Sequence, residues 1–167
     1  QVGEEVYISM INKAERYCWF MTPYLIITDE MTHALCLAAK RGVDVRIITP
    51  GMPDKKLIYS ITRSFYHGLV KNGVRIYEWT PGFCHAKMSV ADDCMATCGT
   101  INLDYRSLYH HFENGCFMAD SQTVLDIRDD LGATMNECRE VTEKYRTGRS
   151  AYLRLGQLFM RLFAGLL

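Results

Sequence analysis

The sequence predicts an α/β fold in which helices flank a mixed, mainly parallel sheet, and three observations carry the prediction. Helix-period and strand-period segments alternate through the first half of the chain. The strand-like runs stop at or just before Pro23, Pro50 and Pro81, residues that cannot continue a ladder. With 167 residues, 49% of them apolar, the chain is long enough to bury one domain-sized core.

Val6, Met10 and Ala14 recur at helical spacing over 4–14, with Glu4 and Glu5 in the first turn, where the helix dipole favours acids. Residues 17–22 are apolar and aromatic and read as a buried strand. Met31, Ala34, Leu35 and Ala38 mark a helix over 29–40 that ends at Gly42. A strand at 43–49 follows. Leu57, Ile58, Ile61, Phe65, Leu69 and Val70 form the stripe of a helix over 55–71, closed by Asn72-Gly73 and followed by a strand at 74–79. The pattern then changes. Residues 86–91 and 94–99 read as a hairpin turning at Asp92-Asp93, without the favoured Asn-Gly. A loop over 100–110 leads to a strand at 111–118, and an apolar stripe from Val124 to Tyr145 predicts one long helix over 121–145.

Residues 1–147 form the predicted domain, and 148–167 a basic amphipathic helix. In that tail Arg154 and Arg161 share one helical face, and Phe159 and Phe163 lie on the opposed one. Such a helix fits a membrane interface or a docked protein surface equally well by pattern.

Nineteen basic residues balance nineteen acidic ones, so no global field draws in nucleic acid. Seven cysteines without a CxxC pair suit reduced, mostly buried thiols better than a disulfide framework. Zinc ligation by Cys94, Cys98, His110 and His111 is disfavoured, because adjacent strand histidines point to opposite faces. No metal or other cofactor is expected. No run of about 20 uninterrupted apolar residues offers a spanning helix. P-loop, serine-lipase and zinc-hydrolase motifs are absent from the sequence.

Residues 83–120 concentrate the chemistry. His85 and Lys87, two apart on a strand, project into one cleft as a nucleophile or base beside a fixed positive charge. That pairing suits a phosphate, with Asn102 and Thr100 as further donors and Glu113 as a carboxylate. Asp92, at a hairpin turn, suits loop bracing.

The run His85-x-Lys87-x4-Asp92-x6-Gly99-Thr100-x-Asn102 resembles the HKD signature of the phospholipase D superfamily. The wider text, TPY at 22–24, RGVDVRI at 41–47, PGFCHAK at 81–87 and GTINLDYRS at 99–107, is similar to the C-terminal half of bacterial cardiolipin synthases. The resemblance implies a phospholipase D-like domain with His85, Lys87, Asp92, Asn102 and Glu113 as catalytic residues, and Lys87, Thr100 and Asn102 on the substrate phosphate. It further implies that Glu113 bonds the second nitrogen of His85, and that Asp92 is mainly structural. The implied reaction joins two phosphatidylglycerol molecules into cardiolipin and glycerol through a phosphohistidine. Anionic phospholipid, a membrane surface and a second HKD lobe are the implied partners, and the bacterial cytoplasmic membrane is the implied location.

Superfamily sites are built from two HKD motifs, and this sequence has one. A fragment anchored by helices in a missing N-terminal half, a homodimer, and a non-catalytic lipid-binding half-domain are the open alternatives, and the non-Met start favours the fragment. A homodimer would be a single-motif phosphodiesterase, either phospholipase or nuclease.

Overall fold

The computed structural model describes residues 2–147. The elements run α1 (Val2–Lys13), β1 (Tyr17–Met21), β2 (Leu25–Ile26), α2 (Asp29–Lys40), β3 (Asp44–Pro50), α3 (Lys56–Lys71) and β4 (Arg75–Trp79). They continue through β5 (Met88–Ala91), β6 (Met95–Gly99), β7 (Leu103–Asp104), β8 (Gly115–Ala119), α4 (Gln122–Asn136), β9 (Cys138–Glu140) and α5 (Thr142–Thr147). A seven-stranded sheet has the order β8-β6-β5-β1-β3-β4-β9, and β2 pairs with β7 apart from it.

The α/β class and the mixed sheet agree with the sequence reading. Within the seven-stranded sheet parallel pairing is confined to β1 with β3 and β3 with β4, the strands joined by α2 and α3, as helical crossovers require; the separate β2–β7 pair is also parallel. The four outer ladders are antiparallel, so "mainly parallel" holds only at the centre. After residue 79 no two neighbouring strands of the sheet are joined by a helical crossover: β5 and β6 form a hairpin, and α4 connects β8 and β9 at opposite edges.

Two apolar cores enclose the sheet. On one face α1, α2 and α3 bury Met10, Ile11, Met31, Leu35, Ile61 and Leu69 against Phe20, Val45 and Ile47. On the other, α4 lays Val124, Ile127, Leu131 and Met135 over Ile48, Val90 and Ala96. The predicted long helix over 121–145 is therefore corrected: it stops at Asn136. Val141 and Tyr145 belong to the opposite core, reached when β9 crosses the sheet edge beside β4. That crossing is fixed by charge, since Glu78 is 0% exposed and held by Arg63 at 2.5 Å and Arg139 at 2.8 Å.

The hairpin is placed where the sequence puts it. Asp92 and Asp93 have φ of 53° and 63°, the two positive values of a type I′ turn, which short polar side chains tolerate. The Asp92 carboxylate accepts the backbone N–H groups of Glu15, Arg16 and Tyr17 at 2.7, 2.9 and 2.8 Å. The hairpin is thereby pinned to the chain entering β1. Asp93 is held near a pKa of about 2 by the Tyr17 phenol and then by Arg128 and Arg16. Asp92→Asn keeps the turn but weakens three charge-assisted bonds. It is expected to cost about 2 kcal/mol, read from the urea midpoint, and an unchanged midpoint would remove Asp92 as the brace.

Candidate functional site

The parallel strands β1, β3 and β4 end on one edge of the sheet, where ligands of open α/β folds collect. Antiparallel β5 begins at that edge, with Met88 opposite Met21. Residues 83–87 approach it as an extended run outside any ladder, so His85 and Lys87 lie just before the strand predicted to carry them. Gly99 N–H donates to the Lys87 carbonyl at 3.2 Å, fixing the run against β6.

His85 is exposed and Lys87 only 8% exposed. The Lys87 ammonium donates to the His85 carbonyl oxygen at 2.6 Å and stands 3.0 and 3.2 Å from the two ring nitrogens. An ammonium has donors only, so the imidazole nitrogen facing it accepts. Desolvation lowers the Lys87 pKa, opposed by the nearby Cys84, Glu113 and Asp104. Among the described residues the ammonium makes no ion pair. A buried cation without a carboxylate is costly unless an anion arrives.

The neighbouring residues form a second layer. Thr22, buried at the end of β1, accepts Leu103 N–H at 3.1 Å and donates to the Tyr24 carbonyl at 2.9 Å, seating β7 beside β2. Asn102 Nδ2 donates to Ser107 Oγ at 3.0 Å, while its Oδ1 is enclosed without a partner. Asp104, 8% exposed, accepts Ser107 N–H at 2.7 Å. It opens the π-helical turn Arg106–His110, where the sequence reading had a loop.

The structure does not bring every predicted residue to His85. The Glu113 carboxylate accepts from Thr100 Oγ1, and lies 3.9 Å from His111 Nδ1. It makes no hydrogen bond to His85, in contrast to the expected pairing. The predicted strand over 111–118 begins only at Gly115, because Asn114 N–H turns to Thr100 Oγ1 at 2.9 Å and ends the regular ladder. Asp92 lies at the opposite end of β5 from Lys87, as a brace. Arg154, Phe159, Arg161 and Phe163 lie outside the described residues.

A cavity of ≈140 Å³ adjoins Asn102, and sequence reasoning missed it. Tyr24, Lys55, Asp104, Arg106 and His111 line it. No side-chain partner holds the Lys55 ammonium or the Arg106 guanidinium among the described residues. Tyr24 donates to Asp54 at 2.5 Å. TPY and the Arg of GTINLDYRS were the available signals, but their joint cavity depends on the β2–β7 pairing, which two-residue strands do not announce.

This is the layout of a phospholipase D-like domain, and the solved structures agree. The phospholipase D family member Nuc from Salmonella typhimurium superposes with a TM-score of 0.72 at 18% identity, covering 82% of this chain and 89% of that one. The family model described as "Cardiolipin synthase, PLD-like domain" matches residues 7–135. The chain therefore belongs to the cardiolipin synthase PLD-like domain family, within a superfamily of phosphodiesterases and phosphatidyltransferases.

Among its relatives, an uncharacterized protein of Streptococcus mutans is 48% identical over 167 residues, covering 100% of this chain and 36% of the relative. A cardiolipin synthase of Halalkalibacterium halodurans is 32% identical over 167 residues, covering 100% and 33%. The chain thus spans about a third of the length of these relatives.

The buried ammonium makes a stability prediction with a definite sign. Burial lowers the folded-state pKa of Lys87 below 10.5, so between the two values the unfolded chain binds more protons. Folding stability from this group is lowest below the folded pKa and rises with pH until the ordinary lysine value is passed. Lys87→Met is expected to raise stability near neutral pH by about 1 kcal/mol and to flatten the alkaline rise. Urea unfolding across pH checks both, and a destabilised Lys87→Met protein would contradict the reading.

Proposed function

We propose that this domain supplies one half-site of a cardiolipin synthase-type phosphatidyltransferase. The observation that carries it is the Lys87 ammonium, buried without a carboxylate and in contact with an exposed imidazole. A ring nitrogen of His85 attacks the phosphorus of one phosphatidylglycerol, and the P–N bond forms as the bond to the glycerol oxygen breaks. A histidine of a second HKD lobe protonates that glycerol. It then takes the proton of an attacking hydroxyl from a second phosphatidylglycerol, which displaces His85 and yields cardiolipin. The reverse division of roles between the two histidines is chemically equivalent.

In this scheme Lys87 neutralises the non-bridging oxygens as charge develops, in a site where little water competes. Asn102 and Thr100 are the accompanying donors, which requires each to exchange its present partner for the phosphate. The cavity beside Asn102 supports a glycerophosphate headgroup, with Lys55 and Arg106 free for a phosphate oxygen. Phe83, its ring 5.8 Å from that of His85, and Phe112, next to Glu113, are large exposed aromatics suited to an acyl-chain boundary. Among the described residues no helix is long and apolar enough to cross a membrane. Lipid is met at a membrane surface in this reading, with the 148–167 segment and anchoring helices of a longer chain as the proposed attachments.

The second lobe comes from elsewhere in a longer chain or from a second copy. The likeness to Nuc, most of whose chain this domain covers, favours testing the copy, which as a phosphodiesterase would be the second reading. The purified chain is incubated with phosphatidylglycerol vesicles over a range of protein concentrations, and cardiolipin and phosphatidic acid are measured by mass spectrometry. Cardiolipin that rises faster than linearly with protein, and vanishes in His85→Ala, is the expected result for a self-paired site. Phosphatidic acid alone would replace the transferase reading with a hydrolase. Lipid binding without either product would leave a binding half-domain.

A further inference from the structure

Two exposed thiols face each other at the edge of the sheet. In the antiparallel pair β6–β8, Cys98 lies directly opposite Cys116, and both are free and exposed. Directly opposed residues project from one face. In that register Thr100 N–H donates to Asn114 O at 2.8 Å and Asp120 N–H to Cys94 O at 2.9 Å. Hydrogen-bonded pairs recur every second residue, so Cys98 and Cys116 form one too, with Cα atoms about 5.5 Å apart. A disulfide accepts Cα separations of about 4.4–6.8 Å.

The two strands are pressed together at this end. Gly99 opposes Gly115, and a Cβ on Gly99 would lie 2.3 Å from the Asn114 carbonyl oxygen. On the face the thiols share, α4 covers Val90 and Ala96, with Met118 packed against that core, and leaves Cys98 and Cys116 bare. The other cysteines are buried or half-buried. Burial pushes the thiols of Cys18, Cys36, Cys84, Cys94 and Cys138 up, away from the reactive thiolate.

We propose that Cys98 and Cys116 are a dithiol modification site that reacts with low-molecular-weight disulfides and closes into a cross-strand cystine. One thiolate attacks a sulfur of the oxidant, forming a mixed disulfide and releasing one thiol. The second thiolate then attacks the bonded cysteine sulfur and expels the other half. The pair loses two protons and two electrons, and the oxidant leaves as two thiols. A disulfide needs Cβ atoms about 3.5–4.5 Å apart, closer than the about 4.5–5.5 Å of opposed strand residues. The bond therefore draws the strands inward and is readily reduced, the property of a reversible switch. It fastens β8 to β6 beside Thr100 and Glu113, whose hydrogen bond shapes the rim of the candidate site.

The test exposes the whole chain to mixtures of oxidised and reduced glutathione, followed by alkylation and peptide mass spectrometry, with amide exchange measured at Thr100. The expected product is a Cys98–Cys116 linked peptide, lighter by two hydrogens and reversed by reduced glutathione. Cys98→Ser should instead leave Cys116 as a stable glutathione adduct, and exchange at Thr100 should slow severalfold in the oxidised chain. Both cysteines ending as separate adducts, or linkage to Cys94, would overturn the site. Unchanged exchange at Thr100 would overturn its connection to the rim. Neither readout depends on transferase activity, so failure here and failure of the functional proposal are distinguishable.

Discussion

A buried lysine whose ammonium meets no carboxylate among the described residues is the constraint on which the rest of the site depends. Lys87 is 8% exposed, and what it touches is the His85 carbonyl and ring. Glu113 and Asp104 lie close enough to favour its charge but are engaged with Thr100 and Ser107. A core built for stability alone would place an apolar side chain here. The cost is offset when an anion binds, and a phosphodiester brings two non-bridging oxygens to such a position.

The sheet supplies the rigidity this requires. Parallel β1, β3 and β4 end together, and antiparallel β5 delivers residues 83–87 to the same edge. The Asp92 turn fastens the far end of β5 to the entry of β1 through three backbone N–H groups. The aspartate of the motif thus acts at the opposite end of the strand from the histidine and lysine. Thr22 and the short β2–β7 pairing then hold the loop bearing Asn102 and Asp104 over that edge.

Most of the central architecture was legible because its elements announce themselves by period and punctuation. The stripe of α3, the strand ending at Pro50 and the turn at Asp92-Asp93 each follow from local chemistry. The stripe from Val124 to Tyr145 misled because its helical spacing continues by coincidence across β9, while the chain passes from one core to the other. Only pairing with β4 reveals the break. In the site, His85 and Lys87 do meet as expected, although the strand predicted to carry them begins only at Met88. The partner of Glu113 and the Lys55–Arg106 cavity were not, since both depend on contacts between segments distant in sequence.

The most direct test of the central claim is to follow the Lys87 ammonium itself by NMR of the carbon-13-labelled lysine side chain, titrated with and without inorganic phosphate. The account predicts a pKa below the ordinary lysine value in the free protein and a rise when phosphate binds, because the anion stabilises the charged form. The rise should persist in His85→Ala, which removes the ring but leaves the cation. A Lys87 that titrates as an ordinary surface lysine, or that does not respond to phosphate, would contradict the claim that the site is built around an unpaired buried cation.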